Sequence, residues 1–233
     1  MKMIFAIEYK VVFLKVNNFS PMKTLQEIKK LMRMNRFIML ASLFILGSSI
    51  SAQDIKFPAP NRTGGKPLMQ ALNERKSTRS YQDKDLTLQQ LSDLLWAANG
   101  FNRDTKRTVP TANDRQELEL YVATRNGIYF YDAHQHLLRE VKKGDYRAQT
   151  GVQDFVAQAT LNLIFVSDME KASSRQYAYT DCGFVSQNIY LYCASEGLGS
   201  VVRGSFDKEK LHQLINLSPN QEVLLTQSVG YPD

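Results

Sequence analysis

Arg75-Lys76-Ser77-Thr78-Arg79-Ser80-Tyr81 places three cations and four hydroxyls in seven consecutive residues. Guanidinium, ammonium and hydroxyl donors are the groups that hold a phosphate, because charge-assisted hydrogen bonds to its oxygens are the strong kind. The competing reading is a solvated helix end whose late cations meet the helix dipole. Other chemistry-bearing residues are sparse. His134 and His136 are close in sequence, but a zinc site needs three or four ligands and no partners cluster nearby, so no metal is expected. Cys182 and Cys193 are 11 residues apart. On one helix that is about 16 Å along the axis, too far for a disulfide. Both read as buried small apolar residues. No Ser-His-Asp or Cys-His constellation is visible, and the catalytic residues stay unassigned. Tyr177 and Tyr179 are expected to pack as core aromatics, with proton donation or stacking near a substrate as the alternative.

The elements that must carry these residues follow from periodicity. Asp54 to Lys66, with its prolines and glycines, reads as an extended arm. Leu68, Ala71 and Leu72 share a helical face after Pro67. Thr87 to Gly100 is a helix with Thr87 as N-cap, Gln90 three residues on, and Leu88, Leu91, Leu94, Leu95 and Ala98 as its apolar face. Trp96 is assigned to packing, in the core or at an interface. Asn102 to Asn113 is a polar loop. Leu118–Thr124 and Ile128–Tyr131 flank Asn126-Gly127, a strong hairpin signal. His136–Val141 offers a third strand, and Leu161–Val166 a buried one. Tyr177–Glu196 is a long helix apolar on most sides, suited to the interior or a subunit interface. Ser200–Val202 is a short strand, Asp207–Leu214 a small helix capped by Asp207, and Glu222–Val229 a last strand. Helices and strands mix without βαβ alternation, so the fold class is α+β.

The formal charge of +6 belongs to the N-terminal region, where residues 1–52 carry 8 Lys and Arg against 2 acids. The remainder holds 21 of each sign, which argues against nucleic acid as a partner. Arg33 and Arg36 precede the apolar run Phe37–Leu46, and Gly47–Ala52 is small and polar: the order of a secretory signal peptide. The run is shorter than the roughly 20 apolar residues of a membrane span. Residues 34–52 are therefore expected to be a signal peptide cleaved after Ala52, an uncleaved anchor being the alternative. Residues 1–33 are expected to be an overcalled reading frame or a disordered extension. Residues 53–233 are expected to form one domain, exported to the periplasm, with no stable membrane span after cleavage.

In order and spacing, several motifs resemble the FMN-dependent nitroreductase family over residues 66–233. They are Arg75–Tyr81, Leu94-Leu95-Trp96-Ala97-Ala98-Asn99-Gly100, Pro110-Thr111-Ala112 with Gln116, Asp181-Cys182-Gly183 with Gln187-Asn188, Gly197-Leu198-Gly199-Ser200, and Val229-Gly230-Tyr231-Pro232. Within the family the chain is most similar to the branch containing azoline peptide dehydrogenases. The resemblance implies a central antiparallel sheet flanked by helices, an intertwined homodimer, and FMN at the dimer interface. It implies that Arg75, Lys76, Ser77 and Arg79 hold the FMN phosphate and ribityl chain. Pro110, Thr111, Ala112 and Asp114 would touch the flavin from the partner subunit. Backbone N–H groups of Val202, Arg203 and Gly204 would face the ring, and Gln153 would be a further ring contact. Two departures stand out: Asp114 replaces the usual Asn, and Arg175-Gln176-Tyr177 lacks the Lys of the azoline oxidases' Lys-Tyr pair.

The implied function is a nitroreductase-like, FMN-dependent oxidoreductase moving hydride or electrons between an electron donor and a small-molecule acceptor. The alternative is a flavin-binding redox partner or interaction protein without its own turnover.

Overall fold

The computed structural model describes residues 54–233. The expected signal peptide, its cleavage point and the 1–33 extension lie outside the described residues.

Among the described residues, nine strands and four α-helices follow one another. They begin with β1 (Ile55–Lys56), α1 (Leu68–Glu74), α2 (Leu88–Asn99), β2 (Phe101–Arg103) and β3 (Lys106–Arg107). Next come β4 (Leu118–Ala123), β5 (Gly127–Asp132), β6 (Leu137–Lys143) and β7 (Leu161–Asp168). α3 (Arg175–Ser195), β8 (Gly199–Arg203), α4 (Lys208–Leu214) and β9 (Gln221–Gly230) complete the chain. Seven strands form one antiparallel sheet in the order β1-β6-β5-β4-β7-β9-β8. The α+β expectation holds.

β7 explains the layering. Leu161, Leu163 and Phe165 face the core shared with α2 and α3, while Ile164 and Val166 face a second core with Leu211 and Ile215 around α4. Both faces are covered, so the strand is an apolar run rather than an alternating one. α2 starts at the expected capping box: Thr87 Oγ1 accepts from Gln90 N at 3.1 Å and Gln90 Oε1 accepts from Thr87 N at 3.0 Å. Leu94, Leu95 and Ala98 are buried as expected, but Leu88 is exposed. It is the first residue of the helix. α3 buries the strip Ala178, Cys182, Val185, Ile189 and Cys193 and exposes Phe184 on its other side. Both cysteines are free and buried, as read from sequence.

One expectation gains detail and one needs correction. The arm contributes β1, paired with the start of β6, and is tied to α2 where Ser92 Oγ donates to Pro58 O at 2.8 Å. The "polar loop" after α2 contains the β2–β3 ribbon, closed over Phe101 by the Arg107 guanidinium 4.3 Å from its ring centroid. Two- and three-residue strands are too short for alternation to show.

Candidate functional site

At the end of α1, Arg75 caps the helix, its N–H donating to Ala71 O at 2.9 Å, and the backbone turns extended. Ser77 then bridges Ser200 in parallel register, and Thr78 N donates to Ser200 O at 2.9 Å. Gly199 permits this approach, because a Cβ there would stand 2.6 Å from the Thr78 side chain. Beyond, Tyr81 is buried and donates its hydroxyl to Thr78 O at 2.7 Å, while Gln82 N donates to Tyr231 O at 2.9 Å. The segment is thus laid between edge strand β8 and the 230–232 turn.

Tyr190 of α3 is the hub. Its ring lies 5.3 Å from the Arg75 guanidinium, its hydroxyl is 3.4 Å from Ser77 Oγ, and it accepts from Val202 N at 2.9 Å. Lys76, Thr78, Tyr190 and Ser200 line a cavity of about 390 Å³ that Lys66 also enters. The side chains of Lys76 and Arg79 are exposed, and neither they nor Arg75 is in an ion pair among the described residues. Unpaired cations with hydroxyls and a cavity beside them are what an anion such as phosphate requires.

At the far end of β8, Arg203 is buried. Its Nη1 donates to Thr150 O and its Nη2 to Asn162 Oδ1, both at 3.0 Å, while Nε has no partner. Burial pushes its pKa down to about 10, so it stays charged at neutral pH. Gly151 makes room for it, as a Cβ there would stand 1.8 Å from Nη1. Val152 N donates to Ser205 O at 3.3 Å, bringing Gln153 alongside this end of the strand. Gln153 Oε1 is buried without a donor, and Gly204 is exposed.

The 110–116 loop sits elsewhere. Ala112 N donates to the buried Asp181 at 2.8 Å, and Asn113 Nδ2 to Ser173 Oγ at 3.1 Å. Asn113, Asp114 and Gln116 all have positive φ, at 54°, 55° and 50°. Arg107 Nε braces Gln116 at 3.1 Å, and Gln116 N donates to Thr111 Oγ1 at 2.9 Å. Asp114 is ion-paired with Lys106, which holds its carboxyl below the usual range. Asp181 and Tyr190 are nine residues apart on α3, about 13 Å along the axis.

The sequence-predicted residues therefore fall into two groups within one chain. Arg75, Lys76, Ser77, Arg79, Val202, Arg203, Gly204 and Gln153 lie along or beside β8. Pro110, Thr111, Ala112 and Asp114 are held apart, against the first half of α3. Of the three amides on 202–204 expected to face a ring, that of Val202 is taken by Tyr190, and that of Arg203, alternating with it along the strand, points into the sheet toward its partner Thr226 of β9, which leaves Gly204. Tyr177 is half-exposed rather than a core aromatic, and the Tyr179 hydroxyl lies 3.3 Å from Lys208 Nζ. Ala178 and Tyr179 turn toward the core, which leaves Tyr177 on the outward face of the helix's first turn. Sequence reasoning missed Tyr190 and Lys66. Tyr190 lies on the helical spacing of Ser186 and Cys193, which could have pointed to its face but not to its hydrogen bonds.

Sheet order, long central helix and a cation-rich strap against the edge strand together define an α+β protein of nitroreductase architecture. The Nitroreductase family pattern matches residues 72–231, and the chain belongs to that family of oxidoreductases. A Methanocaldococcus jannaschii protein named as a nitroreductase is 29% identical over 180 residues, covering 70% of this chain and 90% of its own. A nitroreductase crystal structure from Ralstonia eutropha is 39% identical with a TM-score of 0.73, covering 77% of this chain and 90% of that one. A nitroreductase from Desulfovibrio desulfuricans, crystallised with FMN, shares the fold at 20% identity and a TM-score of 0.55, over 72% of this chain and 88% of that one.

Proposed function

We propose that the protein is an exported, FMN-dependent oxidoreductase, working as a homodimer on a small-molecule acceptor. The convergence of Arg75, Ser77 and Val202 on Tyr190, beside unpaired Lys76 and Arg79, carries this reading. The donor set fits FMN: cations and hydroxyls match its phosphate, and the orphaned Gln153 Oε1 offers a buried acceptor to a ring N–H.

When bound, FMN supplies the hydride and electron chemistry. The chain's own residues bind and orient. Arg75, Lys76, Ser77 and Arg79 hold the phosphate and ribityl chain. Gln153 and the amide of Gly204 meet the ring, where fixed donors stabilise developing negative charge. Tyr190 fixes Val202 and so the course of the strand beneath. Pro110, Thr111, Ala112 and Asp114 stand too far along α3 to join this group and reach the cofactor of the second subunit. The exposed Phe184 on α3, with Leu68 and Met69 on α1, gives that subunit apolar surface to cover. The signal segment 34–52 routes residues 53–233 to the periplasm. No azoline substrate is assigned, because Arg175, in place of a Lys, is engaged with Glu222 at 2.5 Å.

The deciding experiment is the visible absorbance spectrum of the purified protein, with mass spectrometry of any released chromophore. A yellow protein releasing FMN, with loss of flavin in Arg75→Ala, is the expected result. A colourless protein that takes up no added FMN sinks the proposal. Bleaching by NADH or NADPH then separates turnover from flavin storage.

A further inference from the structure

Arg203 is a buried cation with no anion to answer it. Its guanidinium is held by neutral acceptors only, Thr150 O and Asn162 Oδ1, and no carboxylate among the described residues is ion-paired with it. The cradle is built rather than accidental. Asn162 Oδ1 also accepts from Ser228 Oγ at 2.5 Å, and Asn162 Nδ2 donates to Val156 O at 2.9 Å, which fixes the amide's orientation. Gly151 vacates the space that Nη1 fills. A buried charge without a partner destabilises a fold, and apolar residues of similar volume commonly do better in its place. Nε, buried and without an acceptor, adds to that cost.

Resting on the FMN reading above, we infer that the Arg203 side chain tunes the cofactor: its uncompensated positive charge, held against Thr150 and Asn162 next to the 150–153 segment that carries Gln153, favours the reduced, more negative flavin. Arg203 is a positioning residue in this role. It acts through the field at the ring and through the strand end it anchors, whereas Gln153 and the Gly204 amide make the contact. Neutral acceptors suit that role, since a carboxylate beside the guanidinium would cancel the field.

The test is the two-electron midpoint potential of the FMN-loaded full chain, compared with Arg203→Gln, Arg203→Lys and Asn162→Asp. Arg203→Gln removes the charge, and Asn162→Asp pairs it. Each is expected to shift the oxidised-to-reduced balance at least tenfold toward oxidised flavin, about 30 mV for a two-electron couple. Arg203→Lys keeps the charge and is expected to stay within threefold of the parent. An unchanged potential in Arg203→Gln overturns the inference while leaving FMN binding intact. Should Arg203→Gln fail to fold, an unchanged potential in Asn162→Asp overturns it equally. A parent chain that takes up no FMN defeats the functional reading itself, and this inference with it.

Discussion

At the scale of single residues, the hydroxyl of Tyr190 does more than its position on a helix suggests. It is the acceptor for Val202 N and a neighbour of Ser77, so Tyr190→Phe strands a largely buried amide. The expected loss is about 1–3 kcal/mol, the cost of an unsatisfied buried donor, read from urea unfolding. A variant as stable as the parent would show that water or another group replaces the hydroxyl. Glu117 gives a prediction of a different kind. It is buried, neither carboxyl oxygen has a donor, and burial together with neighbouring Asp181 pushes its pKa above 4.5. The unfolded chain gives up this proton at lower pH than the folded one. The stability Glu117 contributes is therefore fully present below about pH 4.5 and is lost as pH rises through its folded value. Glu117→Gln should gain on the parent as pH rises from 4 to 8, in urea midpoints. Parallel curves would mean that Glu117 titrates alike in both states.

At the scale of elements, α2 is both the best-marked in sequence and the most connected to the site. Gln90 completes the capping box, accepts from the Tyr231 hydroxyl through Oε1 at 2.9 Å, and accepts from the Tyr192 hydroxyl through its carbonyl at 3.1 Å. Thr87→Ala should cost about 1 kcal/mol in thermal or urea unfolding. A change of a few tenths would mean that Gln90's tertiary bonds hold the helix start without the cap. The capping box, the Asn126-Gly127 hairpin and the buried run of β7 were legible because each is a local signal that tertiary packing reinforces. β1 and the β2–β3 ribbon were not, since their pairing depends on partners far along the chain or on a cation closing over Phe101. Within the site, the cation segment could be read from composition alone. Tyr190, Lys66 and the cradle of Arg203 could not, because residues from 66 to 203 meet there only after the sheet has formed.

On the scale of the whole molecule, the sheet order leaves two outer strands, and they are treated differently. β8 is flanked by the 77–78 strap, which fills the space where another strand would lie. On the opposite side, β1 covers only Leu137 and Leu138 of β6. Along the rest, Arg139 to Lys143, no strand among the described residues lies on the side away from β5, where Glu140 N donates to Asp54 Oδ1 at 3.4 Å. Here the register with β5 slips, leaving Val141 as an extra residue opposite the step from Ile128 to Tyr129. Lys142 and Lys143 project exposed from the same stretch. A kinked, doubly cationic border is a poor template for a stranger's backbone, and unguarded borders are where folded β-proteins recruit one another into aggregates. Lys142→Val with Lys143→Val should therefore turn concentrated solutions cloudy, by light scattering, at an unchanged melting temperature. Clear solutions would assign the guarding to the kink alone. Cloudiness would show that these two lysines keep the protein soluble without touching its chemistry, a form of protection spent wholly on what the protein must not meet.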